Sequence, residues 1–365
     1  MELLEKDYNK NDSNIKEFTL GELFCGPGGI AFGAKSAKIE DSSYKIVHKW
    51  ATDYDRDTCN TYIHNICPNS PENVFCEDIR KLKLNKLKSI DGLAFGFPCN
   101  DYSVVGEQKG MNGVYGPLYA YGIKVLKLLQ PKWFFAENVG GLRNANEGNA
   151  FVKILEEMRG AGYNITPNLY KFEDYGIPQA RHRIIIIGIR KDLNANFKVP
   201  SPKPYSKLNN TCRYALETPK IPTDAPNNEL PNQTEIVKKR LSYIKPGENA
   251  FTANIPKALQ LHVSGAKISQ IYKRLDPNKP SYTVTGSGGG GTHIYHWEEL
   301  RALTNRERAR LQTFPDTYEF IGSKESVRKQ IGMAVPCRGA QIIFEALLRS
   351  FAGIDYESVE PNINE

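Results

Sequence analysis

The stretch Glu22-Leu23-Phe24-Cys25-Gly26-Pro27-Gly28-Gly29-Ile30-Ala31 decides the fold. It sets three glycines and a proline between a run that reads as a strand, 18–24, and one that opens a helix, 30–38. Glycines at 26, 28 and 29 let the backbone turn tightly and approach a ligand, with a helix N-terminus behind. The spacing fits G-x-G-x-x-A, a pattern shared by many nucleotide-binding folds and by some plain tight turns.

Outward from this turn, strands alternate with helices. Strands are expected at 44–52, 73–76, 92–97, 133–137 and 183–189, and helices at 55–65, 119–129 and 151–161. The alternation predicts an α/β fold, a doubly wound and mostly parallel sheet with helices on both faces. Ligands of such sheets sit at the carboxyl ends of the strands.

Five strand ends carry unusual residues. The first is the glycine turn itself. Asp53 ends the second strand, placed either to bind ribose hydroxyls or to cap the next helix, and the ring of Tyr54 could stack on an adenine. After the third strand, Asp78 could accept from an adenine amino group beside Ile79, or again act as a cap. The fourth ends Gly96-Phe97-Pro98-Cys99-Asn100-Asp101-Tyr102-Ser103, with Cys99 exposed after a proline at the start of a loop punctuated by Gly106, Gly110, Gly113 and Gly116. A nucleophilic thiolate needs such a site near positive charge, and the glycine spacing suits a mobile lid. The other six cysteines read as inert small apolar residues. The fifth strand ends at Glu137, and Gln179-Ala180-Arg181-His182-Arg183 brings two guanidiniums to the same edge, as surface ion pairs or as partners for anions and carbonyl oxygens.

Composition bounds the class. The 365 residues are 40% apolar and 24% charged, which excludes a disordered, collagenous or coiled-coil chain and suggests two domains at roughly 150 residues each. The longest aliphatic run, Ile184 to Ile187 and on through Gly188 to Ile189, is far short of the ~20 residues of a spanning helix. The N-terminus lacks an apolar leader, and the seven cysteines form neither a disulfide framework nor a CxxC metal pattern. A cytoplasmic, reduced protein with no membrane segment and no metal is expected.

The net charge of +7 is unevenly placed. Residues 1–190 carry 24 basic and 23 acidic side chains, 191–300 carry 15 and 9, and 301–365 carry 9 and 9. Eleven of the 22 prolines also fall in 191–300. A basic, turn-rich module is thus inserted between balanced blocks, suited to nucleic acid or simply to solvent.

The order and spacing of these features resemble the DNA (cytosine-5)-methyltransferases, particularly the bacterial enzymes of restriction-modification systems. The turn from Phe24 to Gly29 resembles the family's first motif, Pro98-Cys99 its catalytic loop, Glu137-Asn138-Val139 its acid motif and Gln179 to Arg183 its paired-arginine motif. Arg301 to Asp316 resembles the ninth motif and Gln330 to Pro336 the tenth, so the likeness runs from about residue 18 to 350.

The resemblance implies a Rossmann-like S-adenosylmethionine-dependent methyltransferase fold, with a smaller, irregular DNA-recognition domain inserted. The expected division is 18–190 plus 329–365 for catalysis and cofactor, and 191–328 for target recognition with its hinge. Cys99 would add to carbon 6 of a flipped-out cytosine, and Glu137 would serve ring nitrogen 3, helped by a raised pKa in a closed pocket. Arg183 would hold the cytosine O2, and Arg181 would support the loop or the thiolate. Phe24, Gly26, Gly28, Gly29, Asp53, Tyr54, Asp78, Ile79, Pro98, Leu118, Ala334 and Val335 would hold S-adenosylmethionine, with S-adenosylhomocysteine the product and no metal needed. Ser103, Thr283, Thr285, Gly288 and Gly289 would meet double-stranded DNA. A monomer is implied, with a cognate endonuclease acting separately.

Three departures stand out: Asn100 where the family usually has Gln, Tyr115-Gly116-Pro117-Leu118 where Arg-Gly-x-Leu is common, and Met333 in place of Asn. The alternatives are the same chemistry on RNA and a catalytically silent DNA-binding homologue. A Rossmann dehydrogenase would explain the glycine turn but not Cys99, Glu137 or the arginine pair.

Overall fold

The computed structural model describes residues 15–41, 43–97, 118–139, 149–261, 269–289 and 291–363. The expected series of elements is present. β1 (Lys16–Leu23) leads into α1 (Gly29–Ser36), then β2 (Tyr44–Asp53), α2 (Arg56–Ile66), β3 (Val74–Cys76) and β4 (Gly92–Gly96). α3 (Tyr119–Leu129), β5 (Trp133–Val139), α4 (Asn149–Gly160), β6 (Tyr163–Lys171), the two-residue β7 (Gln179–Ala180) and β8 (His182–Arg190) follow.

Seven of these strands form one sheet in the order β3-β2-β1-β4-β5-β8-β6. The first five are mutually parallel, whereas β8 runs antiparallel to both β5 and β6. Reversal of β8 puts its start, and so the paired arginines, at the edge where the parallel strands end.

Both faces are covered, as the period-two pattern requires. Ile185 and Ile187 of β8 enter the core shared with α1, while Ile184 and Ile186 enter the one shared with α3 and α4. Each fully buried isoleucine contributes about 1.5–3 kcal/mol, so this strand anchors the sheet.

Within this sheet, β6 was not foreseen. Its sequence, Tyr163-Asn164-Ile165-Thr166-Pro167-Asn168-Leu169-Tyr170-Lys171, carries a proline and two asparagines that read against a strand. It lies at the sheet's edge, the place where a proline, which cannot donate to a ladder, is tolerated.

Beyond the sheet come β9 (Val199–Pro200), α5 (Cys212–Glu217), α6 (Glu235–Leu241), β10 (Ser281–Tyr282), α7 (Asn305–Leu311), α8 (Lys324–Met333), α9 (Cys337–Ala352) and β11 (Ser358–Val359). β10 pairs with β7 and β11 with β9. Leu241, Ile244, Ile255, Ile271, Tyr272, Tyr295 and Ala302 form a small core of their own. Buried Arg274 organises it, donating to the carbonyls of Leu241, Ile244, His296 and Trp297. From Leu303 to Ile331 the chain instead joins a cluster with Cys25, Ala31 and Tyr62 beside the glycine turn. Among the described residues, the stretch Lys324–Ala352 is long and apolar enough to cross a membrane, but it comprises α8 and α9 and 83% of its most apolar window is buried in the interior.

Candidate active site

The glycine turn is held from three sides. Gly26 and Gly28 have φ of +56° and +93°, the left-handed region that glycine enters without penalty. Phe24 is there too, at φ +53°, a strained backbone of the kind that collects at ligand sites. Gly29 opens α1 so close to the tenth motif that a Cβ on it would lie 2.4 Å from the Val335 carbonyl oxygen. The Tyr318 hydroxyl donates to the Pro27 carbonyl.

Asp53 fastens the same turn. Its Oδ2 accepts from the Gly26 amide at 3.1 Å and its Oδ1 from the Asp55 amide at 3.1 Å. Burial pushes its pKa up. The helix cap is the next acid, Asp55, which accepts from Thr58 N at 2.9 Å and Thr58 Oγ1 at 2.6 Å. Tyr54, between them, is 75% exposed. Asp78 is engaged by Arg80, whose hydrogen bonds pull its carboxyl down to about 2. Ile79 and Leu118 are buried in the α3/α4 core, and Ala334 and Val335 are buried beside Gly29. Pro98, Cys99 and Ser103 lie outside the described residues.

Behind the turn sits a buried acid that was not singled out. Glu22 is 0% exposed, and its Oε2 accepts from the Tyr62 hydroxyl at 3.1 Å while Oε1 has no partner. Tyr62 also lies 3.3 Å from His48 Nδ1. Burial, reinforced by Asp53, carries the Glu22 carboxyl up to about 8, and burial takes His48 down to about 4.

At the other end of the edge, β5 and β8 bring Glu137 and Arg183 together, with Glu137 Oε1 2.8 Å from Arg183 Nε and each side chain 13% exposed. Glu137 Oε2 lies 3.2 Å from where a Cβ on Gly96 would stand, so the pair sits beside the end of β4. The neighbouring Asn138 donates to the Phe97 carbonyl at 3.1 Å, pinning the last described residue before Pro98. A carboxylate and a guanidinium side by side, at the end of a strand that leads to a cysteine, can address two positions of one polar ring.

Arg181 is used differently. It is 1% exposed and donates to the carbonyls of Val284 at 2.9 Å and Gly332 at 3.1 Å. Gln179, also missed as a functional residue, accepts from Val284 N at 2.8 Å and donates to Gln312 Oε1 at 2.9 Å. Gln312 in turn donates to the carbonyls of Ile331 at 2.7 Å and Ala334 at 3.1 Å. The paired-arginine, ninth and tenth motifs thus meet at one buried junction with the segment after β10. Only the family resemblance grouped these residues, because nothing local in the sequence pairs positions more than 100 apart.

That segment carries the expected DNA contacts. The Thr283 hydroxyl donates to the Ala180 carbonyl at 2.8 Å, and Thr285 Oγ1 lies 2.6 Å from Ser287 Oγ. Gly289, at φ +121°, has open space around it, while a Cβ on Gly288 would meet Arg328 Nε at 2.5 Å.

Five of the six described cysteines are unlike nucleophiles. Cys25, Cys59, Cys67, Cys212 and Cys337 are buried, and burial pushes their thiols up, to about 11 for Cys67 and about 12 for Cys212.

Comparison with known proteins places this geometry. The family model for C-5 cytosine-specific DNA methylase matches residues 18–349. The chain is 56% identical over 354 residues to Type II methyltransferase M.BbvI of Brevibacillus brevis, covering 94% of each chain. It is 37% identical to Type II methyltransferase M.NgoFVII of Neisseria gonorrhoeae, covering 98% of this chain and 93% of that one. Among solved structures, a prophage-encoded E. coli protein described as a DNA modification methyltransferase shares the fold with a TM-score of 0.68 at 23% identity, covering 92% of this chain and 99% of the other.

Proposed function

The chain belongs to the C-5 cytosine-specific DNA methylase family, and from that premise we propose that it methylates carbon 5 of a flipped-out cytosine at a specific sequence in double-stranded DNA. The reading extends to a monomer in the bacterial cytoplasm that protects DNA from a separately acting endonuclease, since the two relatives described above are named Type II methyltransferases.

The observation that carries the chemistry is the Glu137–Arg183 pair at the carboxyl edge of the sheet. Cys99 follows β4 in sequence, and among the other cysteines five are buried and held as thiols. Cys99 as thiolate forms a bond to carbon 6 of the ring, turning it into an enamine with electron density at carbon 5. Glu137 meets ring nitrogen 3 and stabilises the charge that this addition develops there. Arg183 donates to the O2 carbonyl. After methylation, loss of the carbon 5 proton to water lets the carbon–sulfur bond break and returns the thiolate.

The residues of the glycine turn fit an adenosine-bearing cofactor. Gly26 has no atom within 4 Å of where a Cβ would be, Asp53 secures the turn, and Tyr54 is largely exposed. Phe24, Gly26, Gly28, Gly29, Asp53, Tyr54, Asp78, Ile79, Pro98, Leu118, Ala334 and Val335 would hold S-adenosylmethionine. When bound, the cofactor supplies an electrophilic methyl group and leaves as S-adenosylhomocysteine.

Target recognition is assigned to 191–328 and the rest of the fold to 18–190 plus 329–365; the small core built by residues between Leu241 and Ala302 supports the first assignment over that stretch. Its basic residues meet phosphates, and Ser103, Thr283, Thr285, Gly288 and Gly289 lie against the DNA. Covalent trapping tests the chemistry: with S-adenosylmethionine present, wild-type protein should form a stable adduct with duplex containing 5-fluorocytosine, because fluorine replaces the proton whose loss releases the thiolate, and Cys99→Ala should form none. An adduct that persists in Cys99→Ala would show that another nucleophile acts.

A further inference from the structure

The chemistry above leaves one concentration of positive charge unused. Beneath the glycine-rich segment that follows Thr285, side chains converge from α7, α8 and the chain before Ile294. Arg308 is 1% exposed, its Nη2 lies 3.4 Å from His293 Nδ1, and its Nη1 is buried with no hydrogen-bond partner. Arg328, with a side chain 15% exposed, donates from Nε to the Gly286 carbonyl at 3.2 Å. Burial and the two arginines lower His293 to about 4, so it is neutral near pH 7.

Counter-charge is scarce. Glu307 is engaged by Arg301 at 2.8 Å and by the Thr304 amide at 2.7 Å. Glu325, mostly exposed, comes no closer than 3.8 Å to Arg328 Nη2. Among the described residues no carboxylate forms an ion pair with Arg308. A buried guanidinium without an anion is costly by several kcal/mol, so the cluster is stabilised most by an anion arriving from outside. The segment above it is built for close approach. A Cβ on Gly288 would lie 2.5 Å from Arg328 Nε and 2.8 Å from His293 Cε1, while Ser287 and Gly289 on either side are exposed.

We propose that Arg328 and Arg308, with His293 beside them, form a seat for one phosphodiester of the DNA backbone, alongside the segment 286–289. This rests on the reading of the chain as a DNA methylase. Arg328 takes the phosphate oxygen directly, and Arg308 supplies charge from behind; the seat fixes the register of the recognition segment and reads no base.

The test combines Arg328→Met with duplexes carrying a single neutral methylphosphonate, stepped along each strand. Affinity is measured by fluorescence anisotropy across a salt series. Arg328→Met should lower the slope of log K against log salt by about 0.9, the value for one lost phosphate contact. One methylphosphonate position should weaken wild-type binding several-fold and have no further effect on Arg328→Met; a purely structural role for Arg328 would not produce that coupling. Equal salt slopes, or methylphosphonate effects that are the same in both proteins at every position, would overturn the seat while wild-type binding and methylation stood. Wild-type protein that neither bound nor methylated any duplex would refute the underlying reading instead.

Discussion

Replacing Glu22 by Gln should make the protein more stable at alkaline pH. The side chain is fully buried with one oxygen unpartnered. Burial first, and then the charge of Asp53, raise its carboxyl from 4.5 to about 8 against the opposing hydrogen bond from Tyr62. Below pH 4.5 both folded and unfolded chains hold the proton, and the group has no effect on pH dependence. Between about 4.5 and 8 the unfolded chain gives up the proton while the folded protein keeps it, so stability falls as pH rises. Each unit corresponds to roughly 1.36 kcal/mol, so the loss accumulates to at most about 5 kcal/mol and then levels off. Gln keeps the shape and can still accept from Tyr62, but it does not titrate. Urea unfolding of both proteins from pH 5 to 9 should show their stabilities diverging, with the variant losing less as pH rises. Parallel curves would refute the argument, because they would mean that Glu22 ionises in the fold as it does in the unfolded chain.

Two further substitutions probe the turn and the junction. Gly29→Ala puts a methyl 2.4 Å from the Val335 carbonyl oxygen; overpacking of this kind costs about 1–3 kcal/mol, and calorimetry should register it as weaker S-adenosylmethionine binding, with an unchanged Kd counting against the contact between turn and tenth motif. Gln312→Leu removes the donor to Ile331 and Ala334 and the acceptor for Gln179; stranded buried partners cost about 1–3 kcal/mol each. Steady-state kinetics should then show KM rising for both DNA and cofactor, whereas a change in only one would show that the junction does not link the two.

Features that depend on local physics were legible in the sequence. The glycine turn announced itself because glycine enters the left-handed φ of Gly26 and Gly28 without penalty, and the isoleucine run of β8 had to be a buried strand. Glu137 and Arg183 were expected at one edge, and the structure puts them 2.8 Å apart there because β8 runs antiparallel to β5. Other features depend on tertiary contacts. Asp53 was open to a ribose-binding or a capping role until packing set where α2 starts, with Asp55 as its cap. Strand β6 was hidden by Pro167, which is tolerated because, among the described residues, no strand pairs on its outer side. Arg181 reaches Val284 and Gly332, 103 and 151 positions away, and Arg308, on a helix rich in charged residues, is 1% exposed.

Writing 5-methylcytosine at a defined sequence in duplex DNA is the activity assigned to this chain, and bisulfite sequencing of DNA from a methylation-deficient bacterial host expressing the wild-type protein reads it out. Protected cytosines should all fall at one position of one short consensus sequence and vanish in a host expressing Cys99→Ala. Soluble wild-type protein that leaves no protected cytosine in the host DNA would contradict it.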